Sequence, residues 1–441
     1  MDIELDYGRT TLSLSLPDGR SVERVEKQAA APLASPEGAV RVGIERPIDA
    51  PPLRELAKGR RDAVIVISDS TRPVPNALLI PPLLDALDKG GLPAEAVTIQ
   101  VATGLHRKST LDELDEMLGS EIARSMRIVQ HDARDIDSHR NLGQTSRGIP
   151  ILIDRFFLDS DLRIITGLIE PHLMAGFSGG RKAVCPGLAA VETIRVAHGP
   201  AMLEGKIGPG IIVDNPLHRE LVEVLRKVGV DFLVNVALDR ERRVAGVFCG
   251  HPEIAHLAGI EFVESESHVA LDDYADFVIA SAGGHPLDAS FYQAIKGISA
   301  ASAIVRPGGV ILLCASLSEG IGSPSFEKLI RETESPEDFE ARLLDDQFFV
   351  VDQWMLQHLC QARRRARVLL YTDGLPFEAA SELLVEAVRS PADGIACGLD
   401  HIGDHGRIAA LPQGPYVLAS VHGHKRPLGG PAVSRGSATT R

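Results

Sequence analysis

Short apolar runs alternate with amphipathic helical segments along most of the chain, and this alternation limits the fold more than any other feature of the sequence. The runs "DAVIVISD", "AVTIQVATG", "RIITGLIEPH" and "DFLVNVAL" have the length and the branched residues of buried strands. Helical segments such as "NALLIPPLLDALDKGG" and "HRELVEVLRKVGV" lie between them. Strands that alternate with helices predict a parallel, doubly wound α/β sheet.

The chain has 441 residues, which is too many for one ordinary core, so we expect two α/β domains with mainly parallel, Rossmann-like sheets and an active-site cleft between them. A second group of strands, "DFVIASAGG", "GGVILLCAS" and "RVLLYTDG", follows the acidic segment "VESESHVALDD", which we predict to be the linker. The predicted domains are 1–267, which would bind the cofactor and carry the catalytic residues, and 268–410. A final segment, 411–441, can pack back on the first domain and ends in a disordered tail, "KRPLGGPAVSRGSATTR".

At the N-terminus, residues 1–20 alternate apolar and polar side chains, which predicts a β-hairpin. The sequence Pro-Asp-Gly-Arg at 17–20 is typical of a turn and is expected to be the turn of that hairpin.

Composition excludes several classes of protein. The formal net charge of −14 argues against a nucleic-acid partner, because phosphate binding needs a basic face. An anionic substrate remains compatible, since local charge in a cleft can oppose the global sign. The five cysteines form no Cys-x-x-Cys pair, so neither a zinc knuckle nor a disulfide framework is indicated. With no signal-like N-terminus and no run of 18 apolar residues, we expect a cytoplasmic protein with no membrane partner.

Polar side chains follow the predicted strands at the edge where α/β sheets bind ligands. Asp69, Thr71 and Arg72 follow the first strand, His106 follows the second, and His172 follows the third. Asp69 could simply cap the next helix, and a histidine near a turn is more often structural than catalytic. Capping does not require an arginine, however, and an arginine at a strand end suits the capture of a carboxylate or a phosphate.

The segment "GFSGGRKAVCPG" is rich in glycine but matches neither of the standard nucleotide-binding motifs. Its residues can let backbone amides approach an anion closely, and the lysine Lys182 follows at once. The alternative is a flexible loop with a surface lysine. The residues of this loop that could approach an anion are Gly176, Ser178 and Gly179.

The segment "GGHPLDASFYQAIKG" predicts a helix that begins near Asp288. On such a helix Tyr292, Gln293 and Lys296 share one face, because their spacings are three and four residues. The face could be merely solvated. A phenol, an amide and an amine that converge after a glycine-rich entry favour a clamp for a carboxylate or hydroxyl group.

Six motifs in order, "DSTRP", "TGLHR", "EPHLMAGFSGGRKAVCPG", "VAHG", "DNPLH" and "FYQAIK", resemble the nickel-pincer lactate racemase family. They extend from residue 69 to residue 296. The resemblance implies nickel held by a pyridinium-3-thioamide-5-thiocarboxylic acid mononucleotide that is covalently linked to Lys182. It also implies that His198 is the protein's nickel ligand, and that Asp69, Thr71 and the glycine loop hold the cofactor. Cofactor-biosynthesis and nickel-insertion proteins are the implied partners.

The same resemblance implies a racemase or epimerase that inverts C2 of a lactate-like 2-hydroxy acid. The implied reaction is a reversible, proton-coupled hydride transfer to the cofactor through a bound 2-keto acid. His106 and His172 would act as the pair of bases, since imidazole gives and takes protons near neutral pH. The residues implied to bind the substrate are Arg72, Tyr292, Gln293 and Lys296.

Two other functions stay open from the sequence. One is a sugar-acid C2 epimerase with the same cofactor, and the other is a non-enzymatic cofactor- or metal-binding protein. The sequence does not choose between substrates: Leu173 and Met174 beside the proposed base could limit the size of the third substituent, and His285 could shift this preference. Trp354 could line the pocket, although a lone tryptophan is more often part of the core.

Overall fold

The chain folds into two six-stranded sheets with helices on their faces, which confirms the predicted α/β class. The structure is a computed structural model that describes residues 2–422, apart from 18, 28, 29, 200, 201, 203–206, 344, 346 and 347. The predicted C-terminal tail lies outside the described residues. Within the described part, no helix has the length and apolar character needed to cross a membrane.

The first sheet is parallel except at one edge, where β12 and β13 pair antiparallel. Strands are numbered in chain order. Across the sheet they lie in the order β13 (Val244–Gly250), β12 (Phe232–Leu238), β9 (Leu162–Leu168), β4 (Ala63–Ser68), β5 (Val97–Ala102) and β6 (Arg127–Gln130).

The second sheet is parallel throughout. Its strands lie in the order β18 (Glu386–Ala387), β17 (Ala366–Tyr371), β16 (Val305–Cys314), β15 (Ala275–Ser281), β19 (Ile408–Leu411) and β3 (Val22–Arg24). All the strands predicted from the apolar runs are therefore present, four in the first sheet and three in the second.

Four further strand pairs lie outside the two sheets. They are β1 (Asp2–Tyr7) with β2 (Thr10–Ser15), β7 (His139–Gln144) with β8 (Pro150–Asp154), β10 (Pro171–His172) with β11 (Gly176–Phe177), and β14 (His268–Leu271) with β20 (Leu418–Val421).

The α-helices, also numbered in chain order, supply the layers that cover the sheets. They are α1 (Pro36–Glu45), α2 (Leu53–Ala57), α3 (Asn76–Lys89), α4 (Leu111–Leu118), α5 (Ser120–Ser125), α6 (Arg155–Asp159), α7 (Val191–Ala197), α8 (Pro216–Val228), α9 (Ile254–Ser267), α10 (Phe291–Ser302), α11 (Pro324–Arg331), α12 (Pro336–Arg342), α13 (Gln353–Arg365), α14 (Phe377–Ala380) and α15 (Pro391–Ile402).

Strand β4 shows why its sequence is an uninterrupted apolar run. Successive side chains of a strand point to opposite faces of the sheet, and both faces of this sheet are covered. Val64 and Val66 accordingly pack into one hydrophobic cluster, while Ile65 and Ile67 pack into another on the opposite face. All four side chains are fully buried, and burial of each stabilises the fold by roughly 1.5–3 kcal/mol.

The predicted N-terminal hairpin exists, but its turn is not at 17–20. The turn lies at Gly8 and Arg9, between β1 and β2. Gly8 has a φ of +53°, which glycine adopts without strain, and its N–H donates to Asp288 Oδ2 at 2.6 Å. The position of the turn therefore depends on a contact 280 residues away, which the local pattern does not reveal.

The predicted linker, 263–273, is not an open connection. Helix α9 runs through its first half, and β14 follows and pairs with β20. Val263 and Ser267 are buried, which explains why an acidic segment is still helical.

The predicted domain bounds remain a proposal, with a difference at the N-terminus. Strand β3, which lies within the predicted first domain, pairs with β19 in the second sheet. In the final segment, the Gln413 side chain donates to the Arg240 carbonyl at 3.0 Å. Leu418 packs with apolar residues of β12, of α9 and of the chain that follows β9.

Candidate active site

A cavity of about 160 Å³ lies at the carboxyl ends of β4, β5 and β9, the edge at which the sequence predicts a site. The turns after these three strands form one side of it, and the loop at 178–187 forms its floor. Helix α10, which follows β15 of the second sheet, and the start of α13 form the other side.

The turn after β4 is organised by the Asp69 carboxylate, which is buried. Its Oδ1 accepts hydrogen bonds from the Thr71 hydroxyl at 2.6 Å and from the Thr71 N–H at 3.1 Å. Its Oδ2 lies 2.6 Å from Nδ1 of His106 on the neighbouring turn. Burial alone would raise the pKa of Asp69, but the neighbouring His106, Thr71 and Arg72 together outweigh it, and the pKa is lowered. Asp69 is therefore a carboxylate that holds His106.

His106 is ready to accept a proton from the cavity. Because Nδ1 faces a carboxylate, Nδ1 carries the ring proton and Nε2 keeps its lone pair. The side chain is 38% exposed, so Nε2 is reachable by a small molecule.

His172 has the opposite hydrogen-bonding polarity. Its Nδ1 accepts from the backbone N–H groups of Met174 at 3.2 Å and Ala175 at 3.1 Å, so the neutral ring carries its proton on Nε2. Burial, followed by the charges of Lys182 and Arg72, lowers its pKa well below the ordinary value. His172 thus presents a neutral N–H donor to the same cavity in which His106 presents an acceptor.

Arg72 lies at the cavity wall and is fixed by a buried carboxylate. Its Nη1 donates to Glu170 Oε1 at 2.9 Å, and the Arg72 side chain is only 20% exposed. The second oxygen, Glu170 Oε2, has no hydrogen-bond partner among the described residues. One carboxylate oxygen thus orients Arg72 and leaves other guanidinium N–H groups free to bind an anion.

The glycine loop places Lys182 at the cavity floor. Gly179 has a φ of +74°, and a Cβ there would lie 2.7 Å from Asn235 Oδ1, so a side chain does not fit. Ser178 donates its hydroxyl proton to the Leu168 carbonyl at 2.7 Å, which fixes the loop to the end of β9. Burial, followed by the charges of Arg72 and Arg181, lowers the pKa of Lys182 to about 7. The amine is therefore a competent nucleophile near neutral pH.

His198 directly follows the last residue of α7 and lines the cavity. Its Nδ1 donates to the Ile194 carbonyl at 3.0 Å, which leaves the Nε2 lone pair available. Burial, followed by the charge of Lys182, lowers its pKa to about 4, so the ring is neutral. The Trp354 ring lies against it with 4.7 Å between the ring centroids.

Helix α10 presents Tyr292, Gln293 and Lys296 to the cavity, as predicted. The helix begins at Phe291 after Ser290, not near Asp288, because the Asp288 carboxylate is used to join loops and accepts from the N–H groups of Gly8 and Ser316. The Lys296 amine donates to the side-chain oxygen Oε1 of Gln293, and burial lowers the pKa of Lys296 well below the ordinary value.

The Tyr292 phenol is already engaged within the protein. Its oxygen accepts a hydrogen bond from Trp354 Nε1 at 3.0 Å. Burial, followed by the charge of Asp352, raises the pKa of Tyr292 well above its ordinary value. Tyr292 thus positions Trp354 at the cavity wall.

Twelve of the thirteen residues predicted for the site line this one cavity; the exception is Gly176. A Cβ at Gly176 would lie 2.3 Å from the Ile211 carbonyl oxygen, so its glycine is required by a neighbouring segment of the chain. Leu173, Met174 and Trp354 also line the cavity, whereas His285 lies outside the lining and is 3.0 Å from Arg9.

Sequence reasoning missed two acidic residues. Glu170 precedes the predicted base in the same motif, and Asp352 lies in the C-terminal third, where no motif was found. The sequence gives no reason for a carboxylate such as Glu170 to lie close to an expected anion site. The structure gives the reason, because Glu170 accepts a hydrogen bond from Arg72 at 2.9 Å.

The donors of the cavity fit a metal that brings most of its own ligands. Among the described residues, no group of three or more histidine, cysteine, aspartate or glutamate side chains is arranged to hold a metal ion. The neutral imidazole of His198 keeps its Nε2 lone pair, and the buried amine of Lys182 lies in the same cavity. A metal here would need further donors from an attached group, and Lys182 is suited to carry that group.

The cavity thus gathers two imidazoles and several basic side chains at the carboxyl edge of the sheet, an arrangement typical of an α/β enzyme with an anionic substrate. Comparisons with known proteins agree. The family model for the lactate racemase N-terminal domain matches residues 7–208, and the model for the lactate racemase C-terminal domain matches residues 271–419. The chain belongs to the lactate racemase family, a family of isomerases.

Individual relatives match over nearly their whole length. The lactate racemase of Thermoanaerobacterium thermosaccharolyticum is 33% identical over 423 residues, which cover 95% of this chain and 99% of the relative. That of Lactiplantibacillus plantarum is 32% identical over 421 residues, with 94% and 99% covered. The solved lactate racemase apoprotein from T. thermosaccharolyticum superposes with a TM-score of 0.88 at 32% identity, covering 95% of this chain and all of that one. A protein from Thermotoga maritima shares the fold, with a TM-score of 0.70 at 20% identity and coverage of 89% and 99%.

Proposed function

We propose that this protein inverts C2 of a small, lactate-like 2-hydroxy acid. The observation that carries the proposal is the pair His106 and His172, which face one cavity with opposite hydrogen-bonding polarity beside Arg72 and Lys296. Inversion needs a group that takes the hydroxyl proton on one side of the substrate and a group that serves the oxygen on the other side. The relatives named lactate racemase support this assignment.

Arg72 and Lys296 would bind the substrate carboxylate. Burial disfavours the charged form of Lys296, and a bound carboxylate would favour it. Gln293 accepts a hydrogen bond from the Lys296 amine and so fixes its direction. Leu173 and Met174, both buried, would contact the third substituent and limit its size.

His106 would receive the hydroxyl proton of one enantiomer at Nε2, because Asp69 keeps the other ring proton on Nδ1. His172 would donate a hydrogen bond from Nε2–H to the substrate oxygen when that oxygen lies on its side. For His172 to accept a proton there, the Met174 and Ala175 N–H groups must release Nδ1. We therefore expect each histidine to interact with the hydroxyl group of a different enantiomer.

Lys182 and His198 are the residues that would hold the nickel-pincer mononucleotide, the first as the covalent tether and the second as a metal ligand through Nε2. When bound, this group would supply the acceptor for the hydride that leaves C2. The loop residues Ser178 and Gly179 would support it from below. Asp69 and Thr71 line the same cavity and stay candidate cofactor contacts, although Asp69 also holds His106, whereas Gly176 lies outside the cavity lining. The expected partners are the cofactor-biosynthesis and nickel-insertion proteins.

A panel of chiral 2-hydroxy acids tests the proposal. Protein produced together with the cofactor-biosynthesis proteins is incubated with each pure enantiomer, and the products are separated by chiral chromatography. We expect inversion of lactate or a close analogue. Inversion of a sugar acid alone would favour the epimerase, and a loaded protein that inverts no member of the panel would favour a cofactor-binding protein.

The fate of the C2 hydrogen tests the hydride step separately. A substrate carrying deuterium at C2 should be inverted in ordinary water with its label kept, because a carbon-bound hydride does not exchange with solvent during turnover. A proton removed by a histidine could exchange. Extensive loss of label at early turnover, measured by mass spectrometry of the product, would refute hydride transfer.

A further inference from the structure

A second cavity, of about 340 Å³, lies behind the loop that carries Lys182. We call it the rear cavity. It is lined by Arg181, by His218 and Arg219 of α8, by His256 of α9, and by neighbouring residues of the same chain. None of its lining residues lines the candidate active site. Arg181 and Lys182 are consecutive residues of one turn, so the two cavities adjoin the same short segment.

The Arg181 guanidinium is fully buried, yet most of its N–H groups lack acceptors. Nη2 donates to the Ala175 carbonyl at 2.6 Å, and Nε has no partner among the described residues. Nη1 lies 3.3 Å from His256 Nε2, but that nitrogen is 2.8 Å from the Ser178 carbonyl and must carry a proton to donate there. His256 therefore cannot accept from Arg181.

The charge of Arg181 is also unbalanced. Within the described part of the chain, no carboxylate forms an ion pair with it, and burial lowers its pKa to about 9. The nearby arginines do not share this property, since Arg219 is paired with Asp214 and Arg226 with Glu253, each at 2.6 Å. Burial of an unpaired guanidinium is unfavourable, and a bound anion would offset this cost.

His218 adds a second polar group without a partner. Its Nδ1 is buried and has no hydrogen-bond partner among the described residues. Burial, followed by the charges of Arg181 and Arg219, holds its pKa at about 3. An anion beside Arg181 would offset those charges and give the His218 ring an acceptor for its N–H.

We propose that the rear cavity binds a small oxyanion, a carboxylate or a phosphate, through Arg181 and His218. The site is separate from the proposed reaction and does not depend on it. Its occupancy would be felt at Lys182, because the Arg181 charge is one of the causes that lower the Lys182 pKa. A bound anion would screen that charge and so favour the protonated amine.

Calorimetric titration and thermal melting of the full chain without cofactor test the site. The probes are inorganic phosphate, acetate and citrate, with sodium chloride at matched ionic strength as the control; the stronger ligand identifies the source of the oxyanion. Arg72 and Lys296 can also bind anions in the front cavity, so the titrations are repeated in Lys296→Met. We expect saturable binding that persists in Lys296→Met and raises the melting temperature beyond the chloride control.

Three variants locate the binding. Arg181→Met removes the guanidinium, and Val222→Trp fills the rear cavity from α8 without touching Arg181; each should weaken binding at least tenfold. Arg226→Met removes a paired arginine from the same cavity and should weaken it less than threefold. If Arg181→Met does not fold, Val222→Trp decides. Binding equal to the chloride effect, or unchanged in Val222→Trp, would mean that Arg181 is only a structural group.

A second readout follows Lys182. Acylation of its amine is mapped by mass spectrometry across pH, with and without saturating phosphate. Phosphate should move the midpoint to higher pH in the wild-type chain and in Arg226→Met, but not in Val222→Trp. The same midpoint in all cases would exclude the coupling.

Discussion

Replacing Asp69 with asparagine tests the active-site geometry most directly, because it exchanges a single atom and keeps the side-chain shape. In the structure Oδ1 accepts two hydrogen bonds from Thr71, at 2.6 and 3.1 Å. An asparagine oxygen would stay on that side, since its amide cannot accept these protons. The Nδ2 amide would then face His106 Nδ1, where the carboxylate now lies at 2.6 Å.

The expected effect is a change of tautomer. Facing a donor, His106 Nδ1 must become an acceptor, so the ring proton moves to Nε2 and the base of the cavity is lost. A comparable aspartate-to-asparagine exchange behind a catalytic histidine lowers kcat by about 10⁴. We expect Asp69→Asn to lower kcat by about 10³–10⁴, which corresponds to about 4–5.5 kcal/mol in the activation free energy.

The assay compares initial rates of inversion of one enantiomer by wild-type and variant proteins with equal nickel and equal adduct on Lys182. Thr71→Val is the control, because it removes a partner of Asp69 but keeps the carboxylate beside His106; we expect a loss below tenfold. A variant Asp69→Asn within tenfold of the wild type would refute the tautomer argument. Loss of the adduct in Asp69→Asn would instead indicate that Asp69 contacts the cofactor.

Three further predictions concern the other side chains of the cavity. Acylation of Lys182 in the cofactor-free protein should rise with pH and reach half its maximum near pH 7, because burial lowers the pKa of this amine and only the unprotonated form reacts; a midpoint near 10.5 would contradict this. His198→Ala should lose nickel, measured by elemental analysis, while intact mass shows the organic adduct retained; full nickel occupancy would exclude His198 as the ligand. Arg72→Ala should lower kcat/KM by an amount that corresponds to about 2–5 kcal/mol of transition-state stabilisation, as the loss of one partner of a buried charge pair does. A loss of kcat/KM below tenfold would place Arg72 outside substrate binding.

The sequence predicts the sheets well because the signal for a buried strand is local. In β4, four fully buried branched residues in succession are enough to place the strand. The motif residues also meet as predicted, since the carboxyl ends of adjacent parallel strands necessarily lie side by side, as Asp69 and His106 do.

Features set by distant contacts were not predictable. The hairpin turn at Gly8 depends on Asp288, and the orientation of Arg72 depends on Glu170, 98 residues away. Gly176 belongs to a glycine-rich stretch, and nothing local distinguishes a glycine required by the Ile211 carbonyl from one that faces a ligand. Local pattern finds which residues gather, whereas the role of each depends on the partner that the fold supplies.

Charge explains how an acidic protein can select an anion. The net charge is −14, yet the cavity collects Arg72, Lys182 and Lys296. Burial, followed by the charges of neighbouring cations, lowers the pKa of both lysines, so the protein avoids three neighbouring full charges. A tether at Lys182 would remove one amine for good, and a carboxylate at Arg72 would favour protonation of Lys296. In this proposal the carboxylate of the substrate would itself favour the charged form of Lys296. A neutral ester or amide of the same hydroxy acid should therefore bind weakly, because it cannot stabilise that charge.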